Sequence, residues 1–213
     1  METKQDNLIY VWDAYCGWCY GFSESIKGFY KKHTEVPLTV LCGGLFLDNL
    51  PMKNFSYIEE GNKRINQLTG AEFGPSYQKL VEEGTFKMNS KDAAIGFSAL
   101  RSLAPDRLLE FTSAMQKAFY YEGQSLSDPE TYRKIAIEHG LDPEQVLERL
   151  NAQETIIDVQ NDFNKVRQLG VNSYPSLLLQ KDNQIIPIGG GVMTPDKIEA
   201  RFKKFLLRKF RIQ

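Results

Sequence analysis

Apolar positions cluster at the start of the chain in a short unbroken run, Leu8-Ile9-Tyr10-Val11-Trp12, rich in β-branched and aromatic residues. That length and composition predict a strand. Directly after it the spacing changes. Phe22, Ile26, Phe29 and Tyr30 recur at i, i+4, i+7 and i+8, which is one face of a helix ending near His33. A second apolar run, Val36-Pro37-Leu38-Thr39-Val40-Leu41-Cys42, is closed by Gly43-Gly44 and predicts another strand. Strand, helix and strand in that order form a βαβ unit with its two strands parallel.

From about residue 55 to 150 the patterns are helical and strand signals are sparse. Gly61 to Leu68 is a weak helical stretch, and Gly74-Pro75 opens another through Tyr77, Leu80 and Val81. Asp92 to Leu100 is clear and ends at Ala104-Pro105, and Leu108 through Phe119 marks the next. Ser127-Asp128-Pro129-Glu130 and Leu141-Asp142-Pro143-Glu144 each place a capping carboxylate before Pro at the first helical position. A long helix runs from about Gln153 to Leu169, closed by Gly170. The run after Pro175 reads as a buried strand, and Gln184-Ile185-Ile186-Pro187-Ile188 as a partner beyond a turn at Asp182-Asn183. Pro187 demotes that partner to a sheet edge. Thr194-Pro195-Asp196 opens a last helix to about Arg211. The order βαβ, helical block, αββα predicts an α/β chain: a thioredoxin-like fold with an inserted α-helical domain. Residues 1–54 and 151–213 make the discontinuous thioredoxin-like domain, and 55–150 the insert.

Composition narrows the function classes. Of 213 residues 42% are hydrophobic, enough for a packed core. The net charge is -1, from 26 basic and 27 acidic side chains, so no global field draws in nucleic acid or an anionic membrane. Three cysteines are too few for a disulfide framework. The polar start Met1 to Asn7 leads directly into the first strand, without the apolar stretch of a signal peptide, and no run is long enough to span a bilayer. The expectation is a cytoplasmic protein with no nucleic-acid or membrane partner; the residues say nothing of its oligomeric state.

The chemistry-bearing motif lies between the first strand and its helix: Trp12-Asp13-Ala14-Tyr15-Cys16-Gly17-Trp18-Cys19-Tyr20. The leading N–H groups of a helix lack partners and carry partial positive charge, which stabilises a thiolate. Cysteines so placed have pKa values of about 3.5–7.5 against about 8.5 for a free thiol. Cys19 lies one turn on, within disulfide reach, so one sulfur can attack a partner and the other resolve the mixed disulfide. A zinc site needs four ligands, and only Cys42, His33 and His139 remain, so no metal is expected. Tyr20 after Cys19 excludes haem attachment.

These motifs, together with Gly170-Val171-Asn172-Ser173-Tyr174-Pro175-Ser176 and the Glu122-Gly123 turn before Ser127-Asp128, resemble the DsbA superfamily of thiol–disulfide oxidoreductases, nearest its FrnE-like branch, over nearly the whole chain. The resemblance implies Cys16 as nucleophile, Cys19 as resolving thiol and Pro175 as a cis-proline facing the pair. Tyr174 before it would offer backbone groups to an extended substrate. Two departures stand out: the intervening dipeptide is Gly17-Trp18 where the branch usually has Pro before Trp, and Tyr174 is larger than is usual there. The function implied is exchange of electrons between the pair and protein or small-molecule thiols and disulfides, glutathione among them. It needs a redox recycling partner and no cofactor beyond the Cys16–Cys19 disulfide. One rival is a glutathione-dependent transferase or isomerase of the kappa-class type, which usually has Ser at the position of Cys16. The other is a non-enzymatic binding or chaperone module.

The remaining candidates divide between chemistry and plain structure. Trp18 is expected at the surface, touching substrate, because Cys16 needs access. Asp13 is either a proton acceptor for the buried thiol or a turn former, and Glu24 faces the pair or the solvent. Cys42 is read as a small buried hydrophobe. Gly189-Gly190-Gly191 is read as a flexible turn, with an anion cradle as the minor alternative. His33 and His139 fall at helix C-termini, where the dipole accounts for them. Arg201, Lys203, Lys204, Arg208, Lys209 and Arg211 form a solvated basic face on the last helix.

Overall fold

Leu8, Tyr10 and Trp12 point to one side of the first strand and Ile9 and Val11 to the other, and all five are buried. A strand covered on both faces belongs in the middle of a layered structure. The computed structural model describes residues 6–182 and 184–206. There β1 (Asn7–Trp12) is an inner strand of a four-stranded sheet. It pairs in parallel with β2 (Leu38–Cys42), Leu8 opposite Leu38 through Trp12 opposite Cys42. On its other side it pairs antiparallel with β3 (Ser176–Lys181). β3 pairs with β4 (Gln184–Gly190), which lies at the edge where Pro187 needs no ladder partner for a missing N–H. Asn183 of the expected turn, the stretch beyond Leu206 expected to extend the last helix to Arg211, and Arg208, Lys209 and Arg211 lie outside the described residues.

The crossover between β1 and β2 is α1 (Gly17–Tyr30), three residues shorter than the expected end at His33. His33 closes a turn beyond it, with its Nε2 2.5 Å from Glu199 Oε2 on α9 (Pro195–Leu206). Phe29 and Phe202 meet edge-on beside that pair, at 5.4 Å between centroids. α1 and α9 thus cover one face of the sheet. The other face packs Ile9, Val11, Leu41 and Leu178 against Val166 and Leu169 at the end of α8 (Gln153–Gln168).

Between β2 and α8 come six helices: α2 (Ile58–Thr69), α3 (Pro75–Glu83), α4 (Ser90–Leu103), α5 (Leu108–Tyr120), α6 (Pro129–Glu138) and α7 (Pro143–Leu150). Asp128 and Asp142 cap α6 and α7, accepting from Glu130 N at 3.0 Å and Glu144 N at 2.9 Å. Gly70, Gly84 and Gly170 stand in the left-handed region just past helix ends, where a Cβ is disfavoured. A short 3-10 turn, Met52–Asn54, was not visible in the apolar pattern; it has a single buried residue, Met52. Three long-range hydrogen bonds lock α4 and α8 to β2 and to each other. Arg101 Nη1 donates to Val40 O at 3.2 Å and to Asp162 Oδ2 at 2.7 Å, and Cys42 N donates to the same Asp162 oxygen at 3.3 Å.

The first two glycines after Ile188 depart from expectation, while Gly191 stands in a turn. Gly189 and Gly190 are strand residues of β4, opposite Leu177 and Ser176. A Cβ at Gly190 would stand 2.5 Å from Pro175 O, and its φ of 154° lies where side chains are rare. Close approach to the segment at Pro175 explains glycine there, rather than a flexible turn.

Candidate active site

β1 ends at Trp12, and the chain turns through Asp13 so that Cys16 caps α1. Cys16 N donates to Asp13 O at 3.1 Å, and Cys19 N to Cys16 O at 2.9 Å. Cys16 therefore sits at the positive end of the helix and Cys19 one turn inside it. Asp13 is itself buried and braces the turn. Its Oδ1 accepts from Tyr15 N at 2.9 Å and Ser90 Oγ at 3.0 Å, and its Oδ2 from Leu45 N at 2.8 Å. Burial pushes the Asp13 carboxyl up, outweighing hydrogen bonds that pull it down. Of the two roles expected for Asp13, the geometry builds the turn former, which ties β1, the loop after β2 and α4 together. Ser90, absent from the sequence reading, completes the brace: its Oγ also accepts from Phe46 N at 2.9 Å.

The two sulfurs are not equivalent. Cys16 is 5% exposed and lines a cavity of about 240 Å³, whereas Cys19 is 0% exposed. Burial pushes the Cys19 thiol well up, and its hydrogen bond with Cys16 adds to the effect. All three cysteines are thiols. Cys42 is buried at the end of β2, and burial raises its thiol too, with Asp162 adding to the effect and Arg101 opposing it.

Tyr174 and Pro175 come to the pair from the far end of the chain. The Tyr174–Pro175 peptide bond is cis. Cys16 Sγ donates to Tyr174 O at 3.5 Å, and Tyr174 Oη donates to Gly43 O at 2.7 Å. A Cβ at Gly43 would fall 2.3 Å from the Tyr174 ring, so the large residue before the proline is accommodated by a glycine on the loop after β2. Trp18 differs from expectation. It is half-buried, packed against the core and lining the same cavity as Cys16, because α2 lies over the start of α1.

That covering helix was the least visible part of the site. Ideal Cβ atoms at Gly17 and Gly21 would meet Ile65 side-chain atoms at 2.9 Å and 2.8 Å. The two glycines, one turn apart, form a notch on α1 that seats Ile65, the single buried residue of α2. Tyr57 caps α2 and looks onto the cavity; burial, followed by the proximity of Cys16, raises its hydroxyl. Glu24 is exposed and pairs with Lys27 away from the thiols. His33 and His139 are engaged with Glu199 and Glu110, and among the described residues no group of three or more His, Cys, Asp or Glu could hold a metal ion.

A buried thiol beside a second, cavity-lining thiol, the latter facing a cis-proline turn, is an arrangement for disulfide exchange. The family profile described as DSBA-like thioredoxin domain matches residues 7–203. Among solved structures, a candidate protein disulfide isomerase from Nitrosomonas europaea superposes with a TM-score of 0.82 at 21% identity, covering 96% of this chain and 99% of that one. The cytosolic disulfide reductase DsbM of Pseudomonas aeruginosa gives 0.81 at 23% identity, covering 95% and 99%. The same protein solved with GSH gives 0.74 at 22% identity, covering 95% and 99%. At these identities the likeness is one of fold. Among curated proteins nothing matches the chain.

Proposed function

The chain belongs to the DSBA-like thioredoxin domain family and is a thiol–disulfide oxidoreductase, and on that premise we propose that its exchange runs through Cys16 as nucleophile and Cys19 as resolving thiol. The observation that carries this is the asymmetry of the pair: Cys16 meets the cavity and Tyr174 O at 3.5 Å, while Cys19 is wholly buried behind it. The Cys16 thiolate attacks one sulfur of a substrate disulfide. A Cys16–substrate bond forms and the other substrate sulfur leaves as a thiolate with the bonding pair. Cys19, giving up its proton, attacks Cys16 and displaces the second substrate sulfur. The substrate gains two electrons and the protein holds a Cys16–Cys19 disulfide. A dithiol partner reduces it again, or the sequence runs backwards and oxidises a substrate.

Tyr174, Pro175 and Trp18 are the substrate-side residues in this reading. Peptide groups beside the cis-proline pair with an extended segment like an added strand. The exchange calls for no metal or organic cofactor. Substrates are thiol- or disulfide-bearing proteins or glutathione; the GSH-containing structure of DsbM, a fold neighbour, favours including the latter. Three cysteines in the chain suit a reducing cytoplasm. The division into residues 1–54 with 151–213 and an insert at 55–150 belongs to the same reading, the insert supplying the wall over Cys16.

Cys16→Ser is expected to abolish insulin reduction and oxidative refolding, and Cys19→Ser to trap a mixed disulfide visible as an added mass. Wild-type turnover by Cys16→Ser would sink the mechanism.

A further inference from the structure

We propose that the Tyr10 hydroxyl donates a hydrogen bond to the Cys19 sulfur and stabilises the negative charge on that sulfur as it resolves the mixed disulfide. The proposal rests on the reading of Cys19 as the resolving thiol behind Cys16. Tyr10 sits in the middle of the sheet, opposite Val40 on β2 and Leu177 on β3, and is 1% exposed. It shares the face of β1 that carries Leu8 and Trp12 into the cluster with α1. Its ring lies 6.1 Å from that of Phe22, tilted by 42°. Phe22 stands three residues after Cys19 and so on the same side of α1. The Tyr10 hydroxyl meets the Cys19 sulfur there in a hydrogen bond. Between two aliphatic neighbours an apolar ring would serve the core as well. A buried hydroxyl costs free energy unless it is partnered, and the partner this one has is a reacting atom.

The surroundings of Cys19 show why a donor matters. Cys16 and the Asp13 backbone also hydrogen-bond it, and the other titratable groups facing it are the Asp13 carboxyl, Tyr120 on α5 and Tyr174 before the cis-proline. All of these side chains are acids, so none brings a positive charge to a buried thiolate. In the resolving step the Cys19 S–H bond breaks and a Cys19–Cys16 bond forms. The bond from Cys16 to the substrate sulfur breaks, its electron pair leaving with that sulfur. The proton goes to the departing sulfur or, where that sulfur stays ionised, to water. Tyr10 keeps its own proton and shares it with Cys19 while charge builds there, and a hydrogen bond to an ionised acceptor is about twice as strong as a neutral one. The first attack, made by Cys16, does not call on it.

The test is Tyr10→Phe, which removes one oxygen and leaves the ring against Phe22. Variant and parent both carry Cys42→Ala, so that only the pair reports. Each pre-reduced protein is mixed in stopped flow with dithiobisnitrobenzoate, in enough excess that the first step outruns the second. One coloured thiolate is released as Cys16 attacks, and another as Cys19 resolves. Tyr10→Phe is expected to leave the first release unchanged and to slow the second by about tenfold. Acid-quenched mass spectrometry should show the mixed disulfide lasting longer by the same factor. A second release as fast as the parent's, or both releases slowed alike, would overturn the assignment. Cys19→Ser should stop after the first release and Cys16→Ser should give neither. If Cys19→Ser still gave both, the resolving role of Cys19 would be what failed, not the part given to Tyr10.

Discussion

Gly17 stands where Ile65 leaves room for little else. Pro at a first helical position is otherwise favourable, so a Cys-Pro-Trp-Cys sequence would suit α1 in isolation. The ideal Cβ of residue 17 is 2.9 Å from Ile65 Cδ1, and removing that methyl frees the space. Gly17→Pro and Ile65→Val are therefore expected to be coupled, the double variant more stable than the sum of the single effects by about 0.5–3 kcal/mol in denaturant unfolding. Strict additivity would contradict the notch. At Gly43 the obstacle is the Tyr174 ring, which is held by its own hydrogen bond. Gly43→Ala is expected to cost about 1–3 kcal/mol and to slow exchange by shifting Tyr174 O off Cys16. The Cys pair, Tyr174 and Pro175 were legible because their chemistry is written in short motifs. The departure at Gly17 was legible too, but its cause sits on a helix far along the chain. For the same reason Trp18 was expected at the surface and is half-buried.

Helices α6 and α7 begin where Asp-Pro pairs say they should, since a cap is a contact between neighbours in sequence. Helix α2 is another matter: with one buried residue it has little apolar stripe to read, and only its docking on α1 fixes it. The joint between α4 and α8 was not legible at all. Arg101 and Asp162 are charged residues on different helices, and nothing local pairs them. Their side chains are only 17% and 8% exposed. Burial raises the Asp162 carboxyl in spite of Arg101. Asp162→Ala leaves a largely buried guanidinium with only Val40 O and the half-exposed Asp158, 3.6 Å away, and is expected to cost about 3 kcal/mol. Arg101→Met with Asp162→Leu should cost less than that single change, because the one charge left without its partner, Asp158, is half-exposed to water. Chemical denaturation of the three proteins decides it, and a double variant weaker than Asp162→Ala would refute the account.

Side chains from one face of the sheet, from α1 and α9, and from the helical block belong to one cluster, from Leu8 and Phe202 to Phe119 and Val146. A cluster shared by the sheet and the helical block predicts a single unfolding transition, seen alike by circular dichroism and by Trp12 and Trp18 fluorescence. At low pH the first loss is expected around Glu110. Hydrogen bonds from Arg107 and then His139 hold its carboxyl down at about 2, from 4.5. The unfolded chain takes up that proton near 4.5, so the stabilisation is present above that pH and is lost as pH falls toward 2. The carboxylate is 44% exposed, so solvent screens the effect to a modest one. Glu110→Gln should flatten the acid limb of the stability profile, and an unchanged slope would contradict it. The sheet also has a flank to consider. β2 ends it on one side, and the outward carbonyl of Val40 and N–H of Cys42 are met by a guanidinium and a carboxylate. Two side chains thereby impersonate an absent fifth strand, giving the backbone a donor and an acceptor in the places where another molecule's would otherwise lie. Strip them away and the protein gains an adhesive seam: oligomers growing through β2 would be the mark of their loss, even in molecules that remain folded.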